Sequence, residues 1–260
     1  MASDSNEDSK AQGVVPLSPG TGSAPDPGET GRAVDSATAD HDSPWKEALE
    51  VYFSEFLALL FPAVHAEIDW EQPPQFMDKE LQQVARDADS GRRYADKLVK
   101  VFTLDGDETW ILIHVEVQGE PERDFAARMF QYYYRLLDRY GVDVISLAVL
   151  ADTSRQFRPH DYRRAHSGCG VEFRFPSVKL LDYLAPERWQ MLEQSNNPFA
   201  LVVMAQLRAK TVRSPGERAG WKFWLVRLLY DRGYGQADIL ELFRIIDWMV
   251  TLPPDLELSF

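Results

Sequence analysis

The sequence predicts a mixed α/β fold, a mixed sheet flanked by helices, with a mostly helical C-terminal part. Three observations carry this expectation. Two alternating runs flank an Asp105-Gly106 turn signal in YADKLVKVFTLDGDETWILIHVEV, the pattern of a β-hairpin. Phe125, Met129, Tyr132, Tyr133, Leu136 and Tyr140 then recur at helical spacing up to Gly141, a C-terminal stop. Finally, VDVISLAVLAD is apolar on both faces, as in a buried strand that follows a crossover helix in a parallel pair.

The elements follow in order. Residues 1–43 are Asp, Ser, Gly, Pro, Ala and Thr with almost no large apolar side chains. They cannot bury a core, which predicts a disordered acidic tail. Order is expected from Ser43-Pro44, an N-cap followed by a first-turn proline. The next helix carries Trp45, Leu49, Tyr52, Phe53, Phe56, Leu57 and Leu60 at helical spacing and ends at Pro62. Pro73-Pro74 marks a loop, and a short polar helix is expected over 77–88. After the hairpin, Glu120-Pro121-Glu122 opens the crossover helix, whose polar face adjoins its stripe through Arg128, Gln131 and Arg135. Gly170 to Phe175 adds a further strand, and from about Pro186 the chain reads as helical. The predicted division is a tail over 1–43, an α/β core over 44–155 and a helical region over 156–260 packed on that core.

On the second hairpin strand Trp110, Leu112, His114, Glu116 and Gln118 share one face, because side chains alternate along a strand. A hairpin turning about Gly106 puts Asp96 directly across from Glu116, with Cβ atoms ~5 Å apart. A two-residue turn on Asp105-Gly106 would instead rotate Asp96 to the opposite face. In the first register two carboxylates lie so close that a proton or cation must sit between them, the geometry of a divalent-metal site. The competing interpretation is an exposed face that happens to carry two acids, in a chain with 41 of them. Glu116 lies within the apolar run WILIHVEV, where a desolvated carboxylate is costly unless paired or bound to metal.

Composition narrows the partners. The net charge of −13 argues against nucleic acid, but residues 155–232 hold 14 of the 28 basic residues and only 7 of the 41 acids. An acidic site followed by a basic segment suits a phosphodiesterase, which needs acids for cations and a basic surface for phosphates; solvated helix faces would give the same distribution. The single Cys169 excludes an internal disulfide, and with His166 makes a poor zinc signal. No run approaches the ~20 apolar residues of a membrane span. With an acidic, Pro-rich N-terminus in place of a secretory signal, the expected location is cytoplasmic and no membrane partner is expected.

An acid opening one strand, Glu-x-Gln on the next, then a crossover helix and a strand resembles the PD-(D/E)XK nuclease superfamily. Within it, several stretches are similar to the recombination-promoting nuclease group, some of whose members are labelled transposases. They are His41-Asp42 with Trp45-Lys46, YFSEF at 52–56, ADKLVKV at 95–101, HVEVQ at 114–118, FAARMFQYYYRL at 125–136 and LPPDLE at 252–257. The resemblance covers most of residues 41–260. It implies a restriction-endonuclease-like sheet and hydrolysis of DNA phosphodiester bonds with Mg²⁺ or Mn²⁺, in connection with DNA recombination. Asp96, Glu116 and the main-chain carbonyl of Val117 would hold the metal, and Gln118 would orient the attacking water. One acid of the first helix, Glu55 in preference to Glu50, would complete the metal shell. Arg128, Gln131 and Arg135 would contact phosphate, while His114 and Tyr132 would serve packing. DNA is the implied partner, and a homodimer is left open. Gln118 stands where the superfamily pattern has lysine, so a degenerate fold that binds DNA or protein without cutting is the alternative. A transposase is the second alternative, although only two of the three carboxylates it would need stand out.

Overall fold

The computed structural model of the chain describes residues 42–86, 95–104 and 110–257. The predicted tail up to residue 41 and the Asp105-Gly106 turn lie outside the described residues. In chain order the elements are α1 (Asp42–Val51), α2 (Phe53–Leu60), α3 (Pro62–His65), β1 (Gln75–Phe76), α4 (Asp78–Arg86), β2 (Ala95–Phe102), β3 (Trp110–Gln118), α5 (Phe125–Tyr140), β4 (Val144–Leu150), β5 (Asp161–His166), β6 (Cys169–Arg174) and β7 (Ser177–Lys179). A 3₁₀ turn at Leu180–Leu184 leads into α6 (Pro186–Gln194), α7 (Phe199–Thr211), α8 (Pro215–Asp231), α9 (Gln236–Met249) and α10 (Pro254–Glu257). The mixed α/β architecture with a helical C-terminal part is therefore present.

Five strands form the main sheet in the order β1-β2-β3-β4-β7. The β1-β2 and β2-β3 pairs are antiparallel, whereas β3-β4 and β4-β7 are parallel. The two sheet faces have different partners. Val99, Ile113, Val115, Val117, Leu147 and Val149 pack into one large core with α1, α2 and α7. On the other face, Leu98 and Leu112 meet Tyr132 and Leu136 of α5, while Ala148 and Leu150 meet its Phe125 and Met129. Strand alternation thus sorts the residues of β3 between two separate helical layers. Glu116 belongs to the α5 side.

Several boundaries differ from expectation for identifiable reasons. The first helix is broken at Tyr52 (φ −120°, ψ 41°), whose hydroxyl donates to Asp238 Oδ1 at 3.3 Å. The crossover helix starts at Phe125, five residues later than Glu120, because the turn before it carries Glu122 back to α5 and β3. The strand expected at Gly170–Phe175 is β6, but it pairs with an unanticipated strand, β5, in a separate two-stranded sheet. That ribbon turns on Ser167 (φ 48°) and Gly168 (φ 84°), two consecutive left-handed residues that match a type I′ hairpin turn. The root of the ribbon is held by aromatic packing of Tyr162 and Phe173 on Phe130 of α5.

Gly141 ends α5 in the left-handed region (φ 65°), and its N–H bonds to the carbonyl of Leu137. A Cβ there would meet nothing within 4 Å, so the cost of a side chain is conformational rather than steric. Gly141→Ala should lower stability by about 1 kcal/mol. Gly141→Asn should lose less, since asparagine tolerates this region. Urea midpoints of the two variants check the order; equal losses would show that φ is not the cause.

Candidate active site

The hairpin register answers the question left open by the sequence. Asp96 pairs with Glu116, Leu98 with His114 and Lys100 with Leu112, which is the register that opposes the two acids and not the one that sends Asp96 to the other face. Asp96 and Glu116 are thereby direct neighbours across the ladder, while the side chain of Asp96 lies outside what is described. Glu116 also pairs with Ala148 of β4, and Gln118 with Leu150. Both sit at the end of β3 where the chain leaves for α5.

Burial then dictates the electrostatics. Glu116 is 1% exposed, Gln118 3% and Arg128 5%, although none is apolar. Charges held so far from water must be paired. Arg128, on the first turn of α5, supplies the pairing. Its Nε donates to Glu116 Oε1 at 2.9 Å, and Nη2 donates to the same oxygen and, at 3.0 Å, to Gln118 Oε1. Its Nη1 donates to Glu122 Oε1. Four of the five N–H bonds of a guanidinium are therefore committed inside this cluster. Burial opposes the charged form of Arg128, but the charge of Glu116 and the hydrogen bonds to Glu122 and Glu116 outweigh it, so its pKa is raised further still.

The amide of Gln118 is equally constrained. Its Nε2 donates to the carbonyl of Glu120 at 2.5 Å and to Glu122 Oε2 at 3.3 Å, and its Oε1 accepts from Arg128. These partners fix which end of the amide is oxygen, and they use both N–H bonds. Among the described residues, one acceptor position on Oε1 remains. Gln118 can accept a hydrogen from a water but has no donor left to offer.

The sequence-predicted residues divide accordingly. Glu116 and Gln118 are brought together, and the register sets Asp96 beside them. Arg128 is brought to the same point but faces inward, so the expected phosphate contact is replaced by an ion pair. Gln131 is exposed on the outer side of α5, and Arg135 donates to the Val84 carbonyl of α4 at 3.2 Å. Glu55 is not a candidate ligand in this geometry, because α2 packs on the opposite face of the sheet. The other first-helix acid, Glu50, pairs with Lys97 at 3.5 Å. His114 and Tyr132 pack ring against ring in a tilted contact with centroids 4.8 Å apart, in keeping with packing roles. Glu122 is a member that the sequence did not single out. Its only signal was an acid in the turn before a helix that carries a buried arginine.

Oxygen atoms of Glu116, Gln118 and Glu122 thus converge on one cation, the guanidinium. Hard oxygen donors of this kind suit Mg²⁺ or Mn²⁺. Two carboxylates against one guanidinium leave the cluster negative. In donor chemistry and in charge the set fits a divalent cation, for which Arg128 is the competitor. Among the described residues no group of three or more His, Cys, Asp or Glu side chains is arranged to hold a metal ion. Nor is any described helix long and apolar enough to cross a membrane. Comparison with protein-family models, with curated proteins and with solved structures gives no match.

Removing the guanidinium while keeping the acids exposes their dependence on it. Arg128→Met should destabilise by about 3–5 kcal/mol, the cost of leaving a buried charge unpaired. Adding Glu116→Gln to that variant should recover a large part of the loss, because the carboxylate that needed the cation is then gone. A double-mutant cycle from urea melts measures the coupling, and additive effects would rule out the ion pair as the source.

Proposed function

We propose that the chain is a divalent-metal-dependent DNA endonuclease of the PD-(D/E)XK kind, related to the recombination-promoting nucleases. The observation that carries this reading is the direct opposition of Asp96 and Glu116 across the β2-β3 ladder, with Gln118 two residues further on the same face. The sequence pattern described above and the parallel β4 that follows a crossover helix are consistent with it.

In this reading Asp96, Glu116 and the main-chain carbonyl of Val117 would hold Mg²⁺ or Mn²⁺. When bound, such a cation neutralises charge on a phosphate oxygen and lowers the pKa of a coordinated water. The chain's own residues orient and neutralise. Gln118 would accept a hydrogen bond from the attacking water through its remaining acceptor position and so orient the water toward phosphorus. Its amide cannot supply the positive charge that a lysine would place beside the developing negative charge. Arg128 holds the Glu116 carboxylate in one orientation and offsets part of the acidic charge when the metal is absent. Glu122 anchors both Gln118 and Arg128, which makes it a positioning residue.

One observation favours a second reading. Arg128 closes over Glu116 with most of its donors, as expected of a site that has become a structural ion pair. A degenerate nuclease fold that binds DNA or protein without cutting would look the same. A transposase is less well supported, since only two of the three carboxylates it would need, Asp96 and Glu116, stand together on the sheet.

Supercoiled plasmid incubated with the purified chain separates these readings. With Mg²⁺ or Mn²⁺ it should be nicked, and chelator should stop the reaction. Glu116→Gln should abolish nicking and calorimetric Mg²⁺ binding together, with the near-ultraviolet circular dichroism preserved. Gln118→Ala should slow nicking by about 10²-fold, the scale of one lost group acting on the transition state. DNA binding without metal-dependent nicking would establish the binding module, and joining of strand ends would establish the transposase. A chelator-resistant background shared by parent and variants would falsify catalysis at this site.

A further inference from the structure

A cavity of about 350 Å³ opens at the carboxyl ends of the parallel strands β4 and β7, and three cations line it: Arg158, Lys179 and Arg188. This is where open α/β sheets place their ligands. Lys179 is buried, and its ammonium donates to Asp152 Oδ2 at 2.5 Å. Asp152 is fully engaged, because its other oxygen accepts from the Ser154 N–H at 2.8 Å. Arg158 grips Asp182 through two N–H bonds, at 2.8 and 2.5 Å, and its Nε donates to the Arg155 carbonyl at 3.1 Å. Arg188 lies over the ring of Tyr183, 5.5 Å from its centroid, and is exposed. Among the described residues no carboxylate pairs with it.

All three cations act on one carboxylate. The hydrogen bonds from Arg158 hold Asp182 below the usual range against the opposing effect of burial, and the charges of Arg158, Arg188 and Lys179 lower it further. After Asp152 and Asp182 are counted, the cluster keeps one positive charge in a chain of net charge −13. We propose that this cavity is a phosphate-binding subsite. A tetrahedral oxyanion entering it would meet the donors of Arg188, the remaining N–H bonds of Arg158 and the hydroxyl of Ser177, which also lines the cavity. The pairing of Arg158 and Lys179 to acids fixes those two cations in place and leaves Arg188 as the one that answers to the ligand.

The source of the phosphate follows from the position of the cavity, and here the inference rests on the nuclease reading. Gln118, Leu150 and Lys179 form one row across β3, β4 and β7. Strands lie ~4.8 Å apart, so Lys179 stands roughly 10 Å from Gln118 along that row. A separation of this size is spanned by a few nucleotides of one strand at most. The subsite would hold a backbone phosphate a short distance from the bond to be cut. A free phosphate ion or monoester presents the same oxyanion, and the test separates the two sources.

The full chain, Arg188→Gln and Arg188→Lys are compared in chelator-containing buffer, so that no cleavage interferes. Anisotropy of a fluorescein-labelled DNA duplex is followed against salt, and thermal melting is followed against inorganic phosphate. Arg188→Gln should weaken DNA binding by about 3–10-fold at moderate salt and reduce the log–log salt slope by about one, as expected for one lost phosphate contact. Arg188→Lys should keep the slope. If the parent binds no DNA, the nucleic-acid reading fails. The subsite then stands only if phosphate raises the melting temperature of the parent and not that of Arg188→Gln, which identifies a free phosphate. DNA binding that is unchanged in Arg188→Gln, together with no phosphate-dependent difference in melting, overturns the subsite and leaves the nuclease reading to the plasmid assay.

Discussion

Glu116 is a carboxylate near the end of an apolar central strand, and the architecture around it follows from its need for a cation. The strand must be central, since both neighbours of β3 contribute large parts of the core. A central strand leaves no solvent to stabilise the charge. The first turn of α5 lies over that position and delivers the Arg128 guanidinium. The turn before α5 must in turn hold Glu122 inward, which explains why the helix starts later than its sequence pattern suggests.

This arrangement also couples stability to chemistry. A guanidinium that neutralises the acids keeps the fold intact without metal, and the same guanidinium competes with any metal that enters. Buried ion pairs gain little net stability over apolar packing of the same volume, yet losing one partner is severe.

The basic cavity beside this network extends the same logic along the sheet. Two of the cations there are each held by an acid, buried Lys179 by Asp152 and exposed Arg158 by Asp182. Arg188 alone lacks such a partner among the described residues. Negative net charge and a locally positive cavity coexist because Lys179, Arg158 and Arg188 are set against only Asp152 and Asp182 there. Long-range repulsion of nucleic acid is screened by salt over ~8–10 Å, a distance at which the local donors still act.

The sequence by itself determined the hairpin, the crossover helix with its Gly141 stop, the buried parallel strand and the shared face of Glu116 and Gln118. These depend on periodicity and turn chemistry, which are local properties of the chain. The pair sum through Gly106 was one of two registers that the sequence allowed, and only cross-strand packing chose it. Tertiary structure also decided which helix covers which face. Periodicity shows that a residue leaves the strand toward one side, but not which element waits there. For that reason Glu55, on a helix with a suitable acid, ended on the far face, while Arg128 turned inward from a stripe that looked polar. β5 (DYRRAH) carries no apolar alternation, and β7 spans only three residues. β7 exists because β4 offers an unfilled parallel edge, and β5 because β6 needed a partner. A long arginine can reach either solvent or core from the same helical position; the buried charge of Glu116 settled which.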